Sequence, residues 1–178
     1  MNWKKAFAFI AIGAAILMAD AILKAYIHYT FPTVGASSPI YPYGGVGVFR
    51  DWHGIDFSIV HVINRGAAWG FLATMQEVLF YVRMAIIGGL LSYLFFVKST
   101  PFKKFCLMLV AAGAVGNVAD YFIYGHVVDM FYFIFWGYSY PVFNIADSAI
   151  FSGIFLLVLQ SMWSKVRKSS PSKSQSRA

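Results

Sequence analysis

Long apolar runs alternate with polar segments along this chain, and the runs set the expected architecture. Four runs consist mostly of hydrophobic residues, at residues 6–27, 78–97, 105–123 and 142–163. Each is close to the ~20 residues that an α-helix needs to cross the hydrocarbon core of a bilayer. A backbone in lipid must satisfy its own hydrogen bonds, so such segments are expected to be helical. The pattern predicts an all-α integral membrane protein with four transmembrane helices.

A different pattern fills the segment between the first and second runs. Two short strand-like pieces, residues 46–49 and 57–63, flank a turn-like sequence at residues 51–54. Partial alternation of polar and apolar residues in the second piece indicates a small antiparallel β-hairpin. Because a lone hairpin is marginal in water, we expect this outer β region, about residues 31–70, to lean on the helices or on lipid.

The remaining segments complete the expected organisation. Residues 98–104 form a short loop, so the second and third helices should be antiparallel neighbours. Residues 124–141 are rich in Tyr, Phe and Trp, which suits the membrane–water interface. Residues 1–164 are therefore assigned to one membrane domain, and the Ser- and Lys-rich residues 165–178 to a disordered, basic cytoplasmic tail.

Composition agrees with a membrane environment, and charge indicates the orientation. Of 178 residues, 60% are hydrophobic and only 12% charged, whereas soluble domains carry about 25% charged residues. Basic residues gather at the chain ends and in residues 98–104, while the 7 acidic residues lie in the runs or on the other side. The positive-inside rule then places both termini in the cytoplasm. The net charge of +7 reflects this topology, and no nucleic-acid partner is expected.

Two aspartates lie at the outer ends of apolar runs. Asp129 follows the third run in GHVVDM, and Asp147 lies within the fourth in PVFNIADSAI. A carboxylate at membrane depth costs roughly 2.5–3.5 kcal/mol on insertion scales and usually marks a functional site. Two carboxyl groups in contact cannot easily both ionise and therefore share a proton. The ionised group can take a proton from water while the neutral group polarises a carbonyl, as in an aspartic-protease dyad.

Other polar residues have the spacing of helix faces. They are three or four residues apart and form the pairs Asp20 and Lys24, Asn117 and Asp120, and Asn144 and Asp147. For the first pair, one interpretation is an internal salt bridge that lowers the cost of membrane insertion, and the other is that it shapes the site.

The spacing of the histidines along the sequence does not indicate a metal site, and the sequence contains no familiar cofactor-binding motif. The histidines lack a compact motif such as HEXXH, so we expect tuned or surface histidines rather than metal ligands. They are His28, His53, His61 and His126. Walker, dinucleotide-binding and GXSXG motifs are absent from the sequence. We therefore expect neither a metal nor a cofactor.

Five motifs in this chain resemble those of the lipoprotein signal peptidases, the prokaryotic type II signal peptidases. They are DXXXK at residues 20–24, NXGAA at 64–68, GNXXD at 116–120, GXVVD at 125–129 and FNXADSA at 143–149. The resemblance covers nearly the whole chain, in the order and length of the spans. One departure is Tyr121, where the family usually has Arg; Arg65, where the family often has Thr, is the candidate to compensate.

The resemblance implies an aspartic endopeptidase of the bacterial cytoplasmic (inner) membrane. Such enzymes remove the signal peptide from diacylglyceryl-modified prolipoproteins by cutting before the lipidated cysteine. Asp129 and Asp147 match the catalytic pair. The matches to substrate-binding or site-shaping positions are Asp20, Lys24, Asn64, Gly66, Asn117, Asp120, Asn144 and Ala146. It further implies a monomer in contact with phospholipid, an active site near the outer face, and binding of a globomycin-type inhibitor at the dyad.

Other interpretations fit the same residues. The two aspartates would form structural ion pairs with Arg65, Arg83 or Lys24, or act as a proton relay in a transporter or channel. Alternatively, small and polar residues would only hold helices together in a non-catalytic scaffold. A homologue made inactive by the change at Tyr121 is the last alternative.

Overall fold

Four α-helices form where the four apolar runs predict them. The computed structural model describes residues 3–34, 45–65 and 76–169. The helices are α1 (Trp3–Thr30), α2 (Gln76–Phe96), α3 (Pro101–Tyr124) and α4 (Ile145–Ser169). In this part of the chain, α1, α3 and α4 are long and apolar enough to cross a membrane, while the apolar part of α2, Phe80–Phe96, is shorter.

Large apolar side chains cover the outer surfaces of these helices. Ile22 on α1, Phe95 on α2 and Phe151 on α4 are 67%, 79% and 67% exposed. Apolar surface on this scale is unfavourable in water and favourable in lipid. The exposed faces therefore agree with a membrane-embedded protein.

The strands form one antiparallel sheet that is larger than the predicted hairpin. Strands β1 (Val46–Trp52) and β2 (Ile55–Asn64) form that hairpin, which is confirmed. Strands β3 (Val127–Phe135) and β4 (Tyr138–Ser139) extend it in the order β1-β2-β3-β4. Residues 124–141, predicted only as an aromatic connection suited to the membrane–water interface, therefore contain two further strands. Apart from Asp129, mostly apolar residues occupy successive positions of β3, so the strand lacks the polar alternation that would reveal it.

Two hairpin loops pack against each other at the far end of the sheet. The loop residues have positive φ in both cases: 53° and 80° at His53 and Gly54, and 48° and 83° at Trp136 and Gly137. Two-residue loops of this kind match the twist of the strands that they join. The Trp136 N–H donates to the Gly54 carbonyl at 2.7 Å, and a Cβ at Gly54 would lie 2.5 Å from the Trp136 ring.

The ends of α3 are defined by capping residues that also direct the chain into the sheet. Thr100 is the N-cap, and its side chain accepts a hydrogen bond from the Lys103 N–H. Gly125 is the C-cap with φ 75°, and its N–H donates to the Tyr121 carbonyl at 3.1 Å. A left-handed residue at this position ends a helix and turns the chain sharply. Strand β3 thus begins two residues later, beside the end of α3.

Helices α3 and α4 approach closely because glycines line their interface. A Cβ at Gly113 would collide with the Ala146 carbonyl oxygen, and one at Gly153 would lie 2.6 Å from the Cys106 carbonyl oxygen. Small residues allow this kind of backbone contact between membrane helices. The small residues of the third run therefore pack against the helix that carries Asp147.

Gly113→Ala should lower the stability of the protein by about 1–3 kcal/mol, because the added methyl group would meet backbone rather than a side chain that can move. The measurement is the thermal transition in detergent. Gly88→Ala is the matched control, since a Cβ at Gly88 has no neighbour within 4 Å. Equal transitions for the two variants would contradict the close packing of α3 and α4.

Helix α4 extends further along the chain than the sequence predicted. Helix α4 continues to Ser169, so residues 165–169, which the sequence assigned to a disordered tail, are helical. Residues 170–178 lie outside the described residues.

Candidate active site

The start of α4 holds Asp147 in a reciprocal pair of hydrogen bonds. Asn144 directly precedes the helix and is fully buried. Its Oδ1 accepts from the Asp147 N–H at 2.8 Å, and Asp147 Oδ2 accepts from the Asn144 N–H at 3.3 Å. This is the capping-box arrangement, with Asp in the third helical position. The helix begins at Ile145, three residues after the start of the fourth apolar run, so Asp147 lies in its first turn.

The second carboxylate, Asp129, lies on β3 and is 2% exposed. Its Oδ2 accepts from Asn64 Nδ2 at 2.9 Å, and its Oδ1 accepts from Asn144 Nδ2 at 2.7 Å. Asn144 therefore contacts both aspartates, one through each end of its side-chain amide. Asn64 reaches Asp129 because β2 pairs with β3, with Val62 opposite Asp129.

A buried lysine holds the other polar residues together. Lys24 is fully buried, and its Nζ lies 2.6 Å from Asp20 Oδ2 and 2.7 Å from Asp120 Oδ2. It also donates to Asn117 Oδ1 at 3.1 Å. Asn117 in turn donates from Nδ2 to Asp147 Oδ1 at 2.7 Å. The three donors of the ammonium group are therefore used, and one of them supports an amide that binds the dyad.

The two acidic partners of Lys24 also hold the backbone of the site. Asp20 Oδ1 accepts from the Ala146 N–H at 2.9 Å, and Asp120 Oδ2 accepts from the Val128 N–H at 3.3 Å. The two N–H groups belong to the residues that directly precede Asp147 and Asp129. The predicted salt bridge between Asp20 and Lys24 is therefore present, and Asp20 and Asp120 also bind the backbone next to the two aspartates.

Amide groups, rather than cations, surround the two aspartates. Within the described residues, the ion pairs of Lys24 go to Asp20 and Asp120, and the side-chain hydrogen bonds to Asp129 and Asp147 come from asparagines. The interpretation of the two aspartates as structural ion pairs with Lys24 is therefore wrong.

The environment of Asp129 favours its protonated form. Burial, followed by the negative charge of Asp147, raises the pKa of Asp129 from 3.8 to about 7. Hydrogen bonds from Asn64 and Asn144 and the charge of Lys24 act in the opposite direction. Below about pH 7 this carboxyl group therefore holds a proton that it can donate.

A cavity of about 450 Å³ opens beside Asp147. Its polar residues are Asp147, Ser148 and Ser152, and its aromatic residues are Phe133, Phe135, Tyr140, Phe143 and Phe151. A concave, mostly apolar space with a few polar groups is typical of a binding site. From the sequence, part of this aromatic wall was expected only as an aromatic segment at the membrane–water interface. The signal that could have revealed it is the period-two spacing of Phe131, Phe133 and Phe135, which places them on one face of a strand.

A smaller pocket brings together the residues that depart from the family pattern. Arg65, Arg83 and Tyr121 line it together with Asn64 and His126. The Tyr121 ring stacks on Phe80, with ring centroids 5.2 Å apart. Two arginines therefore lie beside the position where the family usually has one, and they adjoin Asn64, a partner of Asp129.

Most of the predicted site residues meet in this region. The dyad, Asn64, Asn117, Asn144 and Ala146 form one network with Asp20, Lys24 and Asp120. Gly66 lies outside the described residues. The fold also brings together three histidines, His28, His61 and His126, which linear spacing kept apart.

Comparison with known proteins identifies the family. A family model described as signal peptidase (SPase) II matches residues 12–163. The chain belongs to the signal peptidase II family. The lipoprotein signal peptidase of Chlamydia abortus is 34% identical over 163 residues, which cover 89% of this chain and 93% of that protein. That of Chlamydia pneumoniae is 43% identical over 111 residues, covering 61% of this chain and 66% of that protein.

Solved structures support the fold of this signal peptidase II family member. A bacterial membrane enzyme determined at 2.3 Å resolution superposes with a TM-score of 0.73 at 25% identity, covering 96% of this chain and 94% of that one. A second, at 1.9 Å resolution, gives 0.67 at 28% identity, covering 86% and 91%. Family membership makes the protein a protease and favours this activity over the proton-relay transporter and the non-catalytic scaffold.

Proposed function

We propose that this protein is a membrane aspartic endopeptidase that removes the signal peptide from diacylglyceryl-modified prolipoproteins, cutting before the lipidated cysteine. The observation that carries the proposal is a pair of carboxyl groups, buried at Asp129 and half-buried at Asp147, that both accept hydrogen bonds from Asn144 beside an aromatic cavity. Relatives named lipoprotein signal peptidase support the substrate class.

In the proposed reaction the two aspartates have different roles. Asp147 lines the cavity and, in its ionised form, takes a proton from the attacking water. Asp129 holds a proton below about pH 7 and donates a hydrogen bond to the scissile carbonyl. As water adds to the carbonyl carbon, Asp129 passes its proton to the carbonyl oxygen, which gives a tetrahedral gem-diol intermediate. As the C–N bond breaks, Asp147 gives its proton to the leaving nitrogen and Asp129 recovers its proton from the intermediate, so the dyad regains its starting charge.

The amide partners maintain this division of roles. Asn117 and Asn144 donate to Asp147 and Asp129 respectively, and both are supported by buried groups. Side chains locked by neighbouring hydrogen bonds keep catalytic groups in their productive geometry. We expect Lys24 to act through Asn117 as a positioning residue, without touching the substrate.

The expected membrane arrangement suits a lipidated substrate. We propose four membrane spans, with both termini in the cytoplasm and the dyad near the outer face of the inner membrane. The signal helix and acyl chains of the precursor are held in the same bilayer, which brings the scissile bond to this depth. The aromatic cavity is the proposed site for the apolar residues before the cut and for a globomycin-type inhibitor. Phospholipid contacts the helices, the enzyme acts as a monomer, and no nucleic acid, metal or cofactor takes part in the reaction.

The test is cleavage of a diacylglyceryl-modified prolipoprotein by the purified protein in detergent, with product masses measured. We expect a signal peptide that ends at the residue before the cysteine. The same precursor without its lipid is the control and should remain uncut. Cleavage elsewhere would disprove the proposed cut site. A folded protein that cuts none of several lipidated precursors would support the inactive homologue altered at Tyr121.

The rate should fall as pH rises through about 7. Asp129 has a pKa raised to about 7, so above this pH it loses the proton that polarises the carbonyl. The measurement is kcat/KM for the lipidated precursor between about pH 5 and about pH 9, since this ratio follows the pKa values of the free enzyme. The thermal transition of the protein is measured at each pH without the precursor. It shows whether a fall in rate is caused by unfolding. A rate that keeps rising to about pH 9 would contradict the role of Asp129 as the proton donor.

A further inference from the structure

Three histidines from separate parts of the fold meet at one place. His28 lies near the end of α1, His61 on β2, and His126 just before β3. One ring nitrogen of each lies within 4.8 Å of those of the other two. The His28 ring centroid is 5.4 Å from that of His61 and 5.8 Å from that of His126. We call these residues the histidine cluster.

Each histidine in the cluster has an unused, buried ring nitrogen. Nδ1 of His28 and Nε2 of both His61 and His126 are buried and have no hydrogen-bond partner among the described residues. Buried polar atoms are nearly always paired, and an unpaired one calls for an explanation such as a bound ion. Three such nitrogen atoms, one on each of three neighbouring rings, indicate a shared ligand that accepts their lone pairs, such as a metal ion.

Two of the rings are already oriented as metal-binding histidines are. His61 Nδ1 lies 3.0 Å from the Phe31 carbonyl oxygen, and His126 makes a hydrogen bond with the Tyr124 backbone. A histidine that ligates a metal usually donates its second ring N–H to a backbone carbonyl or a carboxylate, which directs the other nitrogen at the ion. The backbone partners therefore select tautomers whose free lone pair lies on Nε2.

We propose that the histidine cluster binds one divalent transition-metal ion, with Zn²⁺ as the ion that fits its chemistry. Imidazole nitrogen suits Zn²⁺, whereas Mg²⁺ and Ca²⁺ prefer oxygen. At a Zn–N distance of about 2.0–2.1 Å, tetrahedral ligand nitrogens lie about 3.4 Å apart. The nitrogens of the cluster lie within 4.8 Å of one another, and the proposed ion would draw them to this spacing. Water completes the four-coordinate site.

The bound ion would join three elements that carry the polar network. His28 is one turn beyond Lys24 on α1, His61 is on the strand of Asn64, and His126 is three residues before Asp129. The ion is therefore placed to hold the sheet against α1 and to stabilise the fold. Binding of the ion does not require the aspartic mechanism, because the side chains bonded to Asp129 and Asp147 are asparagines rather than these histidines.

Zinc titration of the protein in detergent, without an added histidine tag and after removal of metals by a chelator, tests the proposal. Calorimetry should show one Zn²⁺ per chain, and at about 100 times the Kd the thermal transition should rise by about 5–10 °C. Co²⁺ in place of Zn²⁺ should produce the visible absorption bands of a tetrahedral nitrogen site. A wild-type protein that shows no saturable binding of either ion would overturn the proposal.

Single-histidine variants locate the site. His61→Ala and His126→Gln should each weaken Zn²⁺ binding by at least about 100-fold, since even the loss of an outer hydrogen-bond partner costs about 10- to 100-fold. His53→Ala is the matched control, because His53 is exposed on the β1–β2 loop and outside the cluster. Its affinity should equal that of the wild type. Equal weakening by His53→Ala, or unchanged affinity in a folded His126→Gln protein, would disprove the assignment.

Discussion

Asp147→Asn should lower kcat by about three to four orders of magnitude while the protein remains folded. Asparagine has nearly the same shape and keeps an oxygen that can accept from Asn117, as Asp147 Oδ1 does at 2.7 Å. It cannot take a proton from water, so the attacking nucleophile is no longer activated. Asp129→Asn should have an effect of similar size, because its amide cannot cycle a proton in the reaction.

The experiment compares both variants with the wild type on a single lipidated precursor, under single-turnover conditions. Glu77→Gln is the matched control, since it makes the same chemical change at an exposed position at the start of α2. The thermal transition of each variant shows whether it is folded. A folded Asp147→Asn protein with more than about a tenth of the wild-type rate would rule out Asp147 as the catalytic base.

Lys24→Met should destabilise the protein by about 3–5 kcal/mol and abolish most of its activity. The lysine is fully buried and lies 2.6 and 2.7 Å from two buried carboxylates. Removing it leaves Asp20 and Asp120 without their cation. It also frees Asn117, which holds Asp147, so the rate should fall even below the unfolding temperature.

A triple variant tests whether the unpaired charges of Asp20 and Asp120, rather than the changed shape of residue 24, cause the loss of stability. Lys24→Met combined with Asp20→Asn and Asp120→Asn removes the unpaired charges and should recover part of the lost stability, which is a non-additive effect expected of contacting residues. Lys5→Met, at an exposed position on α1, is the matched control and should leave the thermal transition nearly unchanged. If the triple variant is no more stable than Lys24→Met, the buried charges are not the source of the loss.

The helices were predictable because their signal is local. Each apolar run coincides with one of α1 to α4, since hydropathy over ~20 residues depends only on neighbours in sequence. The β1–β2 hairpin was also predictable from its turn. Strand β3 was not, because its residues other than Asp129 are mostly apolar, and such a run does not distinguish a strand from other buried structure.

Helical spacing likewise anticipated part of the candidate site. Asp20 and Lys24 form the expected salt bridge at 2.6 Å, and Asn117 and Asp120 both contact Lys24 from one face of α3. The role of Asn144 was not visible in this spacing. Its contact with Asp129 depends on where α4 begins and on how β3 passes its first turn.

The sequence by itself determined the membrane class, the order of the motifs and the identity of the two candidate catalytic aspartates, because hydropathy and motif spacing are properties of the linear chain. Only the tertiary structure decided that the Asn144 amide joins these aspartates, that β2 brings Asn64 to Asp129, and that three distant histidines converge. Those contacts depend on strand register and helix packing. Both arise from interactions between residues far apart in the chain, which linear spacing does not record.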